Sequence, residues 1–149
     1  MKKNSYIAVF VTLAAAIVIL HNSMYPIAQS DLQSGFVLRA LNRFFSRMGC
    51  DVILTQYMIR KLAHFTEYFF FGLLLTITFQ INHKRTQNIF FFELFIFFAI
   101  PVVDETIQIF YEGRTSNVID VWIDFAGCMA GMGIYYLIRA LFHLFMKHP

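Results

Sequence analysis

The chain has 149 residues, of which 58% are hydrophobic and only 14% are Asp, Glu, Lys or Arg. Soluble domains contain about 45–50% apolar and about 25% charged residues, so this composition excludes an ordinary soluble domain and favours an integral membrane protein whose nineteen phenylalanines face lipid. The net charge of +3 is spread over single or paired basic residues, and we therefore expect no nucleic-acid partner.

The first apolar run lies between Tyr6 and Leu20, directly after Lys2 and Lys3. Its length is short for a membrane span and close to that of a signal-peptide core. No A-x-A-like cleavage site follows, so we interpret the run as an uncleaved helix over about residues 6–24. A cleaved signal peptide is the alternative.

The longest polar stretch, residues 27–57, contains arginines that recur every four positions. Arg39, Arg43 and Arg47 therefore share one side of a helix. We predict an extracytoplasmic segment with an amphipathic helix that lies on the membrane and turns its arginines toward lipid headgroups. A short helix that caps the bundle is an equally open alternative.

Three further apolar segments predict membrane spans at about residues 58–81, 89–111 and 118–142. Each is long enough to cross the hydrocarbon layer of a bilayer as a helix. Pro101 lies inside the second of these segments, and proline removes a backbone donor and usually kinks a helix. The kink falls one turn before Asp104.

The predicted fold is all-α: an integral membrane bundle of four transmembrane helices with an amphipathic segment between the first two. We expect the bundle to form a single domain over residues 1–149. Short connections make neighbouring helices antiparallel, and a helix satisfies its own backbone polar groups in lipid. The lipid bilayer is therefore the first expected partner.

Basic residues divide equally between the two predicted faces of the membrane, so their number does not decide the orientation. The first helix often dominates, and its flank carries Lys2 and Lys3 with no acid nearby. We therefore predict a multi-pass protein of the cell membrane with cytoplasmic N- and C-termini. Lys84, Arg85 and Lys147 then also lie inside.

In this orientation eight of the nine acidic residues lie on the outer face, and only Glu93 lies on the inner one. Three predicted helix ends bring polar side chains together there, and an ionisable group inside a membrane segment is a functional-site hypothesis by default. These side chains are Lys61, His64, Glu67 and Tyr68 in the second span, Asp104, Glu105 and Gln108 in the third, Arg114 in the connection, and Asp120 and Asp124 in the fourth.

We divide these residues into two functional groups. Proton transfer or catalysis is assigned to His64, Glu67, Asp104, Glu105 and Asp120. Ligand binding is assigned to Lys61, Tyr68, Gln108, Arg114 and Asp124. A purely structural network of polar contacts between helices remains the alternative.

Five carboxylates in one half-buried pocket are not expected to stay ionised together. Either a shared proton supplies a general acid or base, or oxygen atoms and one imidazole bind a divalent cation. The sequence leaves both possibilities open and does not identify the metal.

Small residues continue the acidic stripe of the last span. Gly127 and Gly131 follow Asp120 and Asp124 at helical spacing. Glycines four positions apart let two helices approach closely in lipid. We predict Gly127 and Gly131 to be helix-packing positions.

Four motifs together resemble a known family. They are Lys61-x-x-His64-Phe65-x-Glu67-Tyr68-x-x-x-Gly72, Asp104-Glu105-x-x-Gln108-x-Phe110, Gly113-Arg114 and Asp120-x-x-x-Asp124-x-x-Gly127-x-x-x-Gly131. In order and spacing they resemble the VanZ-like family of bacterial membrane proteins, over about residues 57–135. The chain departs from the family at Asp124, where Asn is frequent.

The resemblance implies a small multi-helix protein of the cytoplasmic membrane, and the founding member of the family is associated with resistance to the glycopeptide teicoplanin. It implies no particular reaction, so whether the chain is an enzyme stays open. An outward-facing pocket would suit a role in the cell envelope.

We expect this pocket to bind a polar or phosphate-bearing group, such as that of a lipid-linked cell-wall precursor, or a glycopeptide. Lys61 and Arg114 would hold the anion, and His64 would carry a proton. Two alternatives are a non-catalytic module that assembles with a partner or a second copy, and a small proton-coupled transporter. A transporter needs polar groups toward the cytoplasm, where Glu93 is the only acid.

Overall fold

The computed structural model describes residues 3–49, 53–82, 86–114 and 116–146. These residues form five helices and no strand, which confirms the all-α prediction. The helices are α1 (Lys3–Asn22), α2 (Ile27–Arg47), α3 (Gln56–Asn82), α4 (Gln87–Gln108) and α5 (Val118–Met146). Several residues used to predict the orientation lie outside the described residues, namely Lys2, Lys84, Arg85 and Lys147.

Helices α3 and α5 pack against each other most extensively and form the centre of the bundle. A β-carbon at Gly127 or Gly131 would overlap backbone atoms of α3, and one at Gly72 would overlap the backbone of Cys128 in α5. Backbone atoms cannot turn aside as a flexible side chain does, so these positions accept only hydrogen. At Gly133, by contrast, nothing lies within 4 Å of the position that a β-carbon would occupy.

Helices α1 and α4 flank this pair, and contacts at one end of the bundle fix the direction of the chain. Ser5 near the start of α1 donates a hydrogen bond to Asn82 at the end of α3. Arg139 in the last third of α5 donates to Gln80 over 3.1 Å. The start of α1 and the end of α5 therefore lie at the same end of the bundle.

Helix α4 buries its three carboxylates and exposes most of its phenylalanines. Phe91, Phe92 and Phe95 are 57%, 55% and 64% exposed. The buried residues lie along one side of the helix and are Glu93, Phe97, Pro101, Asp104, Glu105 and Gln108. This arrangement is the reverse of a helix in a water-soluble protein, where buried charges are rare, and it is typical of a helix beside lipid.

Three of the described helices are long and apolar enough to cross a membrane: Asn4–Asn22, Gln56–Asn82 and Val118–Met146. The prediction of four transmembrane helices is therefore wrong in number, because α4 is not among them. Helix α4 differs from the others by carrying three buried carboxylates and an internal proline within 22 residues. It nevertheless runs beside α3 and α5 in the bundle.

The predicted segment 89–111 also ends too late. Helix α4 ends at Gln108, and the chain then turns, with backbone hydrogen bonds from Phe110 to Ile107 and from Tyr111 to Gln108. Gly113 follows in the left-handed region at φ 75°, where glycine is favoured. This turn brings the connection back toward α2.

Helix α2 covers the end of the bundle opposite to the chain termini. It packs on α3, and the backbone N–H of Ile27 donates to the carbonyl of Glu112 over 3.3 Å. Its three arginines, Arg39, Arg43 and Arg47, are exposed on the side away from the bundle. Phe36, which is 71% exposed, lies on the same side, so the basic surface also carries apolar side chains.

Candidate functional site

Two adjacent carboxylates near the end of α4 are buried, and the hydrogen-bond donors that reach them from the described residues are neutral. Asp104 is 1% exposed and Glu105 is 2% exposed. The hydroxyl of Ser23 donates to Asp104, and Nε2 of Gln108 donates to Asp104 over 3.3 Å and to Glu105 over 3.1 Å. The backbone N–H of Asn117 donates to the other oxygen of Glu105 over 2.8 Å. These donors satisfy carboxylate oxygens without neutralising their charge.

Helix α5 contributes two carboxylates one turn apart, and α3 faces each of them with a basic side chain. The ammonium group of Lys61 donates to Asp120, and the two side chains are 18% and 12% exposed. Nδ1 of His64 lies 3.4 Å from an oxygen of Asp124, whose side chain is fully buried. Neither this nitrogen nor either oxygen of Asp124 has a hydrogen-bond partner among the described residues.

Glu67 and Tyr68 lie next to each other on α3 but have different surroundings. The side-chain amide of Asn22 donates to Glu67 over 3.3 Å. Tyr68 is fully buried, and its ring lies edge-to-face on Phe71. Its hydroxyl has no hydrogen-bond partner within the part of the chain that the structure describes.

Arg114 ties the connection between α4 and α5 to the end of α1. Its Nε donates to the carbonyl of Tyr25 over 2.9 Å, and Nη2 donates to the carbonyl of Asn22 over 3.3 Å. Nη1 donates to the amide oxygen of Gln108 over 3.3 Å. Burial lowers the pKa of the Arg114 guanidinium, and the negative charge of Asp104 opposes that shift. Three of the five N–H donors of Arg114 therefore bond to other residues of the protein, and two are available to a ligand.

Two cavities adjoin these side chains. The larger, of about 440 Å³, lies between α1, α2 and α3. The smaller, of about 110 Å³, lies between α2, α3 and the connection before α5. The residues that line both cavities are Ser30, Arg60, His64 and Arg114.

The structure places every predicted polar site residue at this one end of the bundle. Asp120 satisfies Lys61, whereas Asp104, Glu105 and Asp124 lie close to His64. Gly127 and Gly131 follow along α5, against the backbone of α3. The catalytic and ligand-binding roles assigned to individual residues remain predictions.

Four further residues belong to this site and were not predicted. Asn22 and Ser23 reach it from the end of α1, Asn117 from the start of α5, and Arg60 from α3. The signal for the first two was present, because a polar stretch directly follows the first apolar run. The spacing of residues within one helix does not reveal a contribution from another helix.

Comparison with protein families identifies the chain. A family model described as VanZ/LLP1 matches residues 8–139, which includes all four motifs. No curated protein and no solved structure matches the chain.

Proposed function

Because the chain belongs to the VanZ/LLP1 family, we propose that it is a cell-membrane protein whose polar site binds an anionic headgroup at the outer surface. The proposed ligand is a phosphate-bearing envelope lipid, such as a lipid-linked cell-wall precursor. Helices α1, α3 and α5 cross the membrane in this proposal, and α4, packed beside α3 and α5, returns the chain from the cytoplasmic end of the bundle to the outer end. The start of α1 and the end of α5 lie on the cytoplasmic side, so the site faces outward.

The observation that supports this proposal is that the wall of the larger cavity has a basic, polar part and an apolar part. One part of the wall is basic and polar and includes Arg60, His64 and Arg114. Another part is apolar and includes Ile59 and Leu62. An amphiphile with a phosphate head and a hydrocarbon chain satisfies both parts, since arginine binds phosphate through charge-assisted hydrogen bonds.

Among the basic residues, Arg60 and Arg114 are better suited than Lys61 to hold the phosphate. Asp120 already neutralises Lys61. Arg60 is bonded to Asp31 over 3.1 Å, but the side chains are 32% and 43% exposed. Exposed ion pairs contribute only about 0–1 kcal/mol, so a phosphate can replace Asp31 at little cost.

His64 lies where both cavities meet and is the group placed to exchange a proton with a bound phosphate. Glu67, held by Asn22, lines the larger cavity beside it. We propose that occupancy of this site changes how a glycopeptide such as teicoplanin reaches its target at the outer surface. The association of the family's founding member with teicoplanin resistance supports this effect on the glycopeptide.

Teicoplanin susceptibility tests the proposal. Cells that express the wild-type chain should tolerate more teicoplanin than cells with an empty vector, and Arg60→Ala or His64→Ala should remove the difference at equal protein level. The matched control is Arg139→Ala, which removes an arginine bonded to Gln80 at the other end of the bundle. Wild-type tolerance in both site variants would overturn the proposal.

Direct binding is measured by native mass spectrometry of the full-length protein in detergent. We expect a phosphate-containing lipid bound to the wild-type protein and to Arg139→Ala, with at least a tenfold lower occupancy in Arg60→Ala. Equal occupancy in all three proteins would contradict binding at this cavity.

Reporter fusions test the proposed orientation. A reporter that is active only outside the cytoplasm should be inactive when fused in the turn 82–88 and active when fused near residue 50. The reverse pattern would place the site on the cytoplasmic side and remove its access to the envelope.

Neither alternative function gains support from the geometry. Gly127 and Gly131 are in contact with α3 and offer no free surface for a second chain. Glu93 is 1% exposed and accepts a hydrogen bond from Thr76 over 2.5 Å. The buried ring of Phe97 follows one turn after Glu93, toward the site, which does not favour a proton path between them.

A further inference from the structure

We infer that His64, Asp104, Glu105 and Asp124 together bind one divalent cation beneath the cavities. One nitrogen or oxygen atom from each of the four side chains can be chosen so that all lie within 4.8 Å of one another. Atoms that coordinate one ion at about 2.0–2.3 Å lie about 3–4.6 Å apart, so small side-chain movements close the site. This inference does not depend on which lipid occupies the larger cavity.

The carboxylate of Asp124 is the independent sign of a missing partner. The side chain is fully buried, and neither oxygen accepts a hydrogen bond from any described residue. Nδ1 of His64 lies 3.4 Å from one of its oxygens and itself has no hydrogen-bond partner in the described ranges. A buried carboxylate without donors costs several kcal/mol unless it is protonated, paired or bound to a metal.

The neighbouring basic residues do not supply this partner. Lys61 bonds to Asp120, and Arg60 bonds to Asp31. Arg114 donates to two backbone carbonyls and to Gln108. Among the residues that the structure describes, no Lys or Arg forms an ion pair with the remaining carboxylates of the cluster, which are Asp104, Glu105 and Asp124.

Neutral donors around the cluster orient its ligands as the outer groups of a metal site do. Ser23 and Gln108 hold Asp104, and the backbone N–H of Asn117 holds Glu105. Such hydrogen bonds fix carboxylates in place and leave lone pairs for an ion. His64 borders both cavities, which gives an ion a path to the cluster.

The donor set indicates the kind of ion. Three carboxylates and one imidazole suit Mn²⁺ or Zn²⁺, since imidazole favours Zn²⁺ and carboxylates favour Mn²⁺. Mg²⁺ prefers oxygen ligands and retains several waters, which a cluster with three buried carboxylates does not accommodate easily. We therefore expect Mn²⁺ or Zn²⁺ to bind more tightly than Mg²⁺.

The first experiment uses the full-length wild-type protein without a polyhistidine tag. The protein is stripped with a chelator, incubated with Zn²⁺ or Mn²⁺, desalted and analysed by inductively coupled plasma mass spectrometry. We expect about one ion per chain, and a rise of about 5 °C in the thermal midpoint at a free metal concentration about 100-fold above Kd. A wild-type protein that retains neither ion overturns the inference and leaves shared protons as the means of charge balance.

The second experiment compares ligand variants with a buried acid outside the cluster. Asp124→Asn and Glu105→Gln should each weaken metal binding at least about 100-fold, more than the loss of an outer group does. Glu93→Gln on α4 is the matched control and should bind metal as the wild type does. Equal binding by all four proteins would overturn the inference, and a folded wild type keeps the first experiment decisive if a variant does not fold.

Teicoplanin tolerance is measured in parallel to separate the two proposals. Metal binding without an effect of Arg60→Ala on tolerance would retain the metal site and remove the proposed function. Loss of tolerance in Arg60→Ala without any metal binding would do the opposite.

Discussion

The two halves of the bundle hold α3 against α5 by opposite means. In the half toward the chain termini, glycines remove the side chains between the helices, and rings such as Phe71 and Phe97 fill the surrounding space. In the site half, the same helices meet through polar side chains: Lys61 is bonded to Asp120, and Nδ1 of His64 lies 3.4 Å from Asp124. Because lipid is as apolar as leucine, close packing and polar contacts are what drive helices together in a membrane. The close-packed half thus provides the rigid support that lets the other half retain unpaired carboxylates.

The largest effect should come from breaking the close-packed half. Gly131→Leu places a side chain against the backbone of Phe69 and Leu73, so we expect a loss of about 3 kcal/mol or more, at the upper end for overpacked cores. Gly133→Leu is the matched control, because nothing lies within 4 Å of its β-carbon position. The measurement is thermal exposure of the buried thiol of Cys128 to a fluorogenic maleimide, in a Cys50→Ser background.

An equal loss of stability in both glycine variants would show that the close approach of α5 to α3 at Gly131 does not set the effect, because leucine has a higher helix propensity than glycine at either position. A wild-type midpoint for Gly131→Leu would contradict the close contact between α3 and α5 itself.

The next effect should come from removing one member of a charged pair in the site half. Lys61→Met or Asp120→Asn alone should cost about 2 kcal/mol, less than the roughly 3–5 kcal/mol for a fully buried pair, because both side chains are partly exposed. The double variant Lys61→Met with Asp120→Asn should lose less stability than the sum of the two single losses, because it leaves no charge without its partner. Thermal midpoints of the four proteins form a double-mutant cycle, and purely additive losses would mean that the two groups do not interact.

A smaller effect should come from a neutral donor in the same half. Ser23→Ala removes the hydroxyl that donates to buried Asp104, and we expect a loss of about 1–2 kcal/mol. The matched control is Thr106→Val, which removes a hydroxyl bonded to its own helix at an exposed position. Equal thermal midpoints for Ser23→Ala and the wild type would show that the Ser23 hydroxyl does not stabilise the buried carboxylate of Asp104.

The smallest effect should come from the exposed ion pair between Asp31 and Arg60. Asp31→Asn removes the negative charge that pairs with Arg60 and should change stability by less than about 1 kcal/mol, with the difference shrinking as salt is added. The measurement is the thermal midpoint at low and high ionic strength. A loss as large as that of Asp120→Asn would show that a phosphate cannot replace Asp31 beside Arg60 at little cost, which contradicts the proposed role of Arg60.

Much of the fold follows from the sequence because each apolar segment ends where polar residues begin. The predicted spans 58–81 and 118–142 correspond to Gln56–Asn82 and Val118–Met146. The predicted number of spans was wrong at α4. Its exposed phenylalanines resemble the surface of a membrane span, although the helix also buries three carboxylates inside the bundle. The identity of the buried partners depends on tertiary packing, which the apolar pattern of a single helix does not contain.

The sequence predicts which helix faces form the site, but it does not predict which side chains pair with each other. Lys61 and Arg60 are adjacent in sequence, and only the rotation of α3 decides which one faces α5. Gly72, eleven residues after Lys61 on the same helical stripe, packs against Cys128 of α5. Lys61 therefore lies on the face of α3 that meets α5 and pairs with Asp120, whereas Arg60 faces α2 and the cavities.

The hydrogen bond from Ser23 to Asp104 spans 81 positions of the chain, which has a consequence for biosynthesis. At a translation rate of about 5–20 residues per second, Asp104 leaves the ribosome roughly 4–16 s after Ser23. Until α4 is inserted, the polar groups at the end of α1 must therefore be hydrogen-bonded to water or lipid headgroups at the bilayer surface. A mutation that slows the arrival of α4 would prolong that interval and expose the nascent chain to membrane proteases before its polar groups find each other.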